Sequence, residues 1–199
     1  DTVMQGLGLC VVLIGVKGAI GTSDTLCVIV SIVAGGLLGA GINIERRLEQ
    51  LGSFAQRKLL RGGEDNSFAK GFVSASLVFC VGAMAIMGSL SSGLYGDHST
   101  LIAKAAIDGI AAIIFASTMG PGVALSALAV LVYQGAITLT AGWLKPLLTD
   151  TIVNEMSAVG GLLIIGVGLN MIYEKHLSVG NLLPAIFVPL VYYPLLALF

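Results

Sequence analysis

The chain has 199 residues and a formal net charge of −1; 56% of its residues are apolar, 27 are glycine and 11% are charged. A soluble domain carries about a quarter charged residues, and a globule this small has too little interior for a mean hydropathy of +0.98. These figures exclude a water-soluble domain, a disordered chain and a disulfide scaffold, and the near-neutral charge gathers neither nucleic acid nor anionic substrates.

A spanning helix needs roughly 20 mainly apolar residues to cross a ~30 Å hydrocarbon core. Seven stretches qualify, near residues 3–20, 24–43, 70–90, 99–118, 121–145, 152–173 and 179–198. They predict an all-α polytopic membrane protein, folded as a single transmembrane domain over 1–199. Cys10, Cys27 and Cys80 fall inside these runs and act as small hydrophobes. The first stretch opens almost at Asp1, which is not an initiator Met. A missing upstream helix is one expectation there and a cleaved signal peptide the other.

In the second stretch Gly35 and Gly39 form a GxxxG beside Ala34, Gly36 and Gly41. Small residues at that spacing let helices pack closely or slide. Residues 44–69 are polar, but Ile44, Leu48, Leu51, Ala55 and Leu59 make one apolar stripe opposite Arg46, Arg47, Glu49 and Arg57. That pattern predicts an amphipathic helix on the membrane surface or against a partner.

The fourth stretch carries the most informative residue. Asp108 lies eight residues after Thr100, so at 1.5 Å per residue it sits ~12 Å into the core. A carboxylate there costs about 2.5–3.5 kcal/mol. It must face a polar cavity, pair with a cation or be protonated, which suits a group that binds and releases a proton or a cation. Lys104 is one turn earlier on the same face. The plainer alternative is a Lys104–Asp108 pair that only locks helices, with Lys104 snorkelling outward.

Gly120-Pro121-Gly122 then forms a turn, or else opens two broken helix ends. Gln134 falls in mid fifth stretch and Asn170 in the inner half of the sixth, where each is a solute contact or interhelical glue. Glu155 begins the sixth stretch as a cap or interface residue rather than a gate. Gly160, Gly161 and Gly166, with Gly168, give that helix a second smooth packing face. Pro184, Pro189 and Pro194 predict a kinked last span.

Six of the ten basic residues, Arg46, Arg47, Arg57, Lys58, Arg61 and Lys70, cluster in 44–70. The positive-inside rule therefore places the 44–69 loop in the cytoplasm. Residues 9–20 align without gaps on 79–90, and Leu13-Ile14-Gly15-Val16 resembles Ile164-Ile165-Gly166-Val167. The second pair lies on helices of opposite direction, the arithmetic of an inverted repeat. His98 and His176 fall in loops on opposite sides, and neither a nucleophile elbow nor a phosphate loop is present. The expectation is a non-enzyme with no metal and no cofactor.

Longer motifs carry a family likeness. They are the run from Phe72-Val73-Ser74 to Met84-Ala85-Ile86, then Gly96-Asp97-His98-Ser99, Lys104, Asp108-Gly109, Phe115-Ala116-Ser117 and Gln134-Gly135. Gly160-Gly161-Leu162-Leu163-Ile164-Ile165-Gly166 and Gly180-Asn181-Leu182-Leu183-Pro184 complete the set. The chain resembles the YqgA/YdfK-type family of bacterial membrane proteins of unknown function over nearly its whole length. The likeness implies a bacterial inner-membrane location and an all-helical fold, but no substrate and no established site.

The expected function is a small-solute or ion transporter of the bacterial inner membrane. It would work by alternating access, with Asp108, Lys104, Gln134 and Asn170 at a midplane site. The expected partners are the bilayer, an unidentified solute or ion and a second copy of the chain, with no nucleic acid. The competing reading is a non-transporting scaffold or sensor that binds another membrane protein.

Overall fold

Polar turns and glycine end the helices close to the predicted positions. A computed structural model describes residues 2–48, 50, 54, 66–80, 83–173 and 177–196. In chain order these form α1 (Thr2–Ala19), α2 (Thr25–Ile42), α3 (Asn66–Cys80), α4 (Ala83–Tyr95), α5 (Ser99–Met119) and α6 (Gly122–Leu139). After them come the single-turn α7 (Ala141–Leu144), α8 (Asp150–Ile172), a 3-10 helix (Val179–Phe187) and α9 (Pro189–Leu196). No strand occurs among the described residues.

Local chemistry explains the ends. The Asp24 side chain accepts the Cys27 N–H at 3.0 Å and caps α2. Thr149 caps α8 in the same way through the Ile152 N–H, with Asp150 in the first turn. Gly120, at φ 80°, stops α5, and the chain turns at once into α6. The Gly120-Pro121-Gly122 segment is thus a tight turn.

The span count is lower than predicted. Among the described residues, five helices are long and apolar enough to cross a membrane, or six if a bent pair counts as one span. Of the first predicted stretch, Gln5–Ala19 is described as a shorter apolar helix. The third is two helices, Phe68–Cys80 and Met84–Tyr95, at 62° to each other. The last begins as a nine-residue 3-10 helix containing Pro184 and continues as α9 from Pro189, as proline's missing N–H requires. Of the predicted amphipathic helix, 44–48 is helical, with Ile44 and Leu48 half-buried and Arg46 and Arg47 exposed. Leu51, Ala55, Leu59 and most of the rest of that prediction lie outside the described residues. Segments 9–20 and 79–90 also differ: the first lies in and just after one continuous helix, while the second straddles the α3–α4 boundary.

Packing sorts the helices into two groups. In the first, α1 lies antiparallel along α8, α2 lies along the 3-10 helix, and α9 joins them. In the second, α3 and α4 pack in succession on α6, with α5 beside them. Contacts within each group are dense and contacts between the groups are few. Lipid tails provide no hydrophobic drive between helices, so close backbone approach must do the work. A Cβ on Gly15 would stand 2.6 Å from the Gly161 carbonyl oxygen, and one on Gly39 would stand 1.8 Å from that of Asn181. Gly35 meets the Ala185 backbone, Gly166 meets the Val179 side chain, and Gly160 is buried.

Polar bonds reinforce the first group. Glu155 is fully buried. It accepts the Thr22 hydroxyl at 2.5 Å, the Ser23 N–H at 2.8 Å and the Ser23 hydroxyl at 2.9 Å. Neighbouring Asn154 donates to the Gly21 carbonyl at 2.5 Å. The start of α8 is thereby latched to the α1–α2 turn.

A bulky residue in the α1–α8 seam should separate the helices. Gly15→Leu is expected to lose about 1–3 kcal/mol by overpacking, read as a lower unfolding midpoint in detergent. Gly41→Leu, where a Cβ meets open space, should leave the midpoint unchanged.

Candidate functional site

The site begins at α5, whose Lys104 ammonium reaches the last residues described in α3 and donates to the Phe79 carbonyl at 2.7 Å. The same ammonium pairs with the Asp108 carboxylate one turn along α5. Lys104 is 7% exposed, and the Asp108 side chain is 25% exposed.

The geometry follows from helical spacing. Lys104, Asp108, Ala111, Ala112, Phe115 and Met119 lie at steps of three and four on the inward side of α5, whereas Ile102, Ile107, Ile110 and Ile113 face out. Lys104 sits only five residues from the start of α5, about 7.5 Å, so its stem could reach the end of the bundle. It turns inward instead. Below the pair, the Phe79 and Phe115 rings stack at 5.6 Å and 20°.

Three cavities border both helix groups among the described residues; the largest, about 880 Å³, lies over α6 against Leu48 and Phe187, and two smaller ones lie along the seam. The larger of these two, of about 370 Å³, opens at the end of the bundle that carries Arg46, Arg47 and Lys70; Glu45, Lys70, Ser74, Thr118, Asn170 and Gly180 are among its walls. The other, of about 220 Å³, is lined by Ser76, Cys80 and Tyr133 on one side and Leu183, Ile186 and Phe187 on the other. Val73 and Leu77 of α3 border both. Cys80 directly follows the residue whose carbonyl Lys104 holds, so the smaller cavity reaches the end of α3.

The other predicted site residues are placed differently. Asn170 lines the larger cavity, but its amide donates to the Leu177 carbonyl at 2.8 Å and accepts the Leu177 N–H at 2.7 Å. It shapes the wall by holding the chain after α8. Gln134 has a buried Nε2 with no hydrogen-bond partner among the described residues, as has the Ser76 hydroxyl. Among the described residues neither Gln134 nor Asn170 hydrogen-bonds to the Lys104–Asp108 pair. No group of three or more potential metal ligands is found among the described residues.

The family described as "Protein of unknown function (DUF554)" matches residues 1–194. The chain belongs to this family. It is 34% identical over 193 residues to "Uncharacterized membrane protein YdfK" of Bacillus subtilis (strain 168), covering 95% of this chain and 81% of that protein. It is 30% identical over 182 residues to "Uncharacterized protein YqgA" of Escherichia coli (strain K12), covering 90% and 77% respectively. No solved structure matches the chain. The apolar helices and the membrane-protein relative make it a helical membrane protein of the family.

Sequence reasoning found the Lys104–Asp108 pair but missed its acceptor. The available signal was Gly82, a poor helix former inside an apolar stretch.

Removing either partner should cost differently. Lys104→Met strands the Asp108 charge and the Phe79 carbonyl together and is expected to lose about 3–5 kcal/mol. Asp108→Asn keeps the ammonium on the carbonyl and should lose less. Unfolding midpoints of the two variants, side by side in detergent, test the order.

Proposed function

We propose that this protein is a small-solute or ion transporter of the bacterial inner membrane that works by alternating access. The observation that carries the reading is the buried Lys104 ammonium, which pairs with Asp108 and donates to the carbonyl of Phe79, the neighbour of Cys80 in the wall of the smaller cavity. Broken helices near the midplane are where secondary transporters bind substrates and coupling ions. A buried ion pair in apolar surroundings is expensive unless it has a task.

In this reading the two helix groups are the rocking bodies and the cavities mark the path between them. Asp108 binds the coupling proton or cation, and Lys104 neutralises it. Gln134 supplies a polar contact to the solute, and Asn170 holds the wall of the larger cavity. The basic end, with the 44–69 loop, faces the cytoplasm. The antiparallel α1 and α8 would be the related helices of an inverted repeat. The isoleucine face of α5 would meet lipid or a second copy of the chain. No covalent chemistry and no cofactor enter this mechanism.

Ligand-dependent stability tests it. Purified protein and its Asp108→Asn variant would be heated with a panel of ions and small metabolites at several pH values. A ligand at a hundred times its dissociation constant adds about 2.7 kcal/mol. The expected result is a ligand-specific rise in the wild-type midpoint that the variant lacks. A cooperatively unfolding sample that no ligand shifts would favour the scaffold instead.

A further inference from the structure

The 880 Å³ cavity over α6 and the 220 Å³ cavity in the seam adjoin: Phe72 of α3, Ala129 and Tyr133 of α6 and Phe187 of the 3-10 helix line both. The larger space is a groove on the lipid side. Its wall residues Leu128 and Val132 are 57% and 64% exposed, on a helix long and apolar enough to cross a membrane. From Leu125 to Thr140 the groove follows α6 for about 22 Å, more than the ~15 Å depth of one leaflet. The smaller space leads inward from the junction to Ser76 and Cys80 of α3.

Two properties of the walls define what fits. No Asp, Glu, Lys, Arg or His is among the described residues lining either space. Charge complementarity therefore calls for an uncharged occupant, since a charge there would be desolvated with nothing to balance it. The second property is an unmet donor. Ser126 and Ser157 each give their hydroxyl proton to a carbonyl one turn back in their own helices. Ser76 does not: its hydroxyl is buried and has no hydrogen-bond partner among the described residues. The same holds for Nε2 of Gln134, next in sequence to Tyr133 of the wall. Buried polar groups are rarely left unpaired. An amide nitrogen can only donate and a hydroxyl has one proton to give, so the matching atom on an occupant is an acceptor.

We propose that the groove and the inner cavity together bind one membrane-dissolved molecule, a single apolar chain lying along α6 and ending in an uncharged carbonyl head, such as an ester, against Ser76. The bilayer delivers it sideways, past Ala129 and Phe187, with no passage through water. A bare hydrocarbon would fill the groove but leave the donor unmet. A phospholipid would bring its phosphate to walls that hold no cation. The site is separate from the Lys104–Asp108 pair and does not rest on the transporter reading.

Photolabelling of the full-length protein in lipid nanodiscs tests the site. The probe is a long-chain methyl ester carrying a diazirine either beside the ester or near the far end of the chain. The first form should label α3 between Phe72 and Cys80 or α6 at Ala129–Tyr133, and the second should label α6 beyond Val132. Excess unlabelled ester should abolish both signals, and the hydrocarbon of equal length should not. Ser76→Ala should weaken binding roughly three- to tenfold, whereas Ser76→Thr, which keeps the hydroxyl, should bind as wild type does. Ala129→Trp fills the junction and should abolish the label on α3; if it does not fold, the two Ser76 variants decide. Label spread without competition over exposed faces, such as Leu37 of α2 and Ile113 of α5, would mean solvent lipid only and overturn the proposal. Equal binding by Ser76→Ala and wild type, or equal competition by ester and hydrocarbon, would overturn it too. Competable labelling alongside a silent panel of ions and metabolites keeps this site and removes the transporter; the reverse keeps the transporter and removes this site.

Discussion

Inside a bilayer the backbone has no water to turn to, and each unsatisfied carbonyl or amide costs several kcal/mol. A charged side chain can therefore stay within the apolar region only where other groups complete its bonding. For the Lys104 ammonium one such group is the Phe79 carbonyl of α3. The ammonium is itself tolerable only because Asp108 pairs with it, and Asp108 is tolerable only because it has the ammonium. Three groups that would each be costly alone make one neutral cluster. The cluster joins α5 to α3 just before the chain changes direction by 62° between α3 and α4.

The first group is held by different means. With no hydrophobic gain from pressing one apolar helix on another, α1 and α8 rely on glycines that bring the two backbones together. The 3-10 helix meets α2 in the same way at Gly35 and Gly39. Such contacts reward only one register, so they make a rigid body. The Glu155 bonds to the α1–α2 turn set that register from one end.

Much of this was legible in the sequence. Apolar run length gave the all-helical membrane class, and the scarcity of charge singled out Lys104 and Asp108. Gly35, Gly39 and Gly161 were found by spacing and do pack closely. What escaped was information that a single chain segment does not contain. The α1–α8 seam was readable only by comparing distant helices: Gly8 and Gly15 are seven apart, as are Gly161 and Gly168, and all four approach the opposite helix. The bend between α3 and α4 was hidden because hydropathy measures composition and is blind to direction. Asn170 looked like a midplane contact, yet its amide is spent on the chain that follows α8.

The distribution of polar bonds bears on how such a molecule could move. Glu155 and Asn154 bond to the α1–α2 turn, and Asn181 accepts the Glu45 N–H at 3.0 Å, all within the first group. Lys104 bonds to α3, and Lys145 donates to the Tyr95 hydroxyl at 2.9 Å, both within the second. Each of these long-range bonds joins elements of one group, and the two smaller cavities lie where the groups face each other. A displacement of one group against the other would break none of these bonds and would leave the Lys104–Asp108 pair intact. The ion pair is therefore no latch across the seam. It fixes the shape of the second group at the place where the smaller cavity reaches the end of α3, so whatever occupies that cavity meets a backbone already held in position.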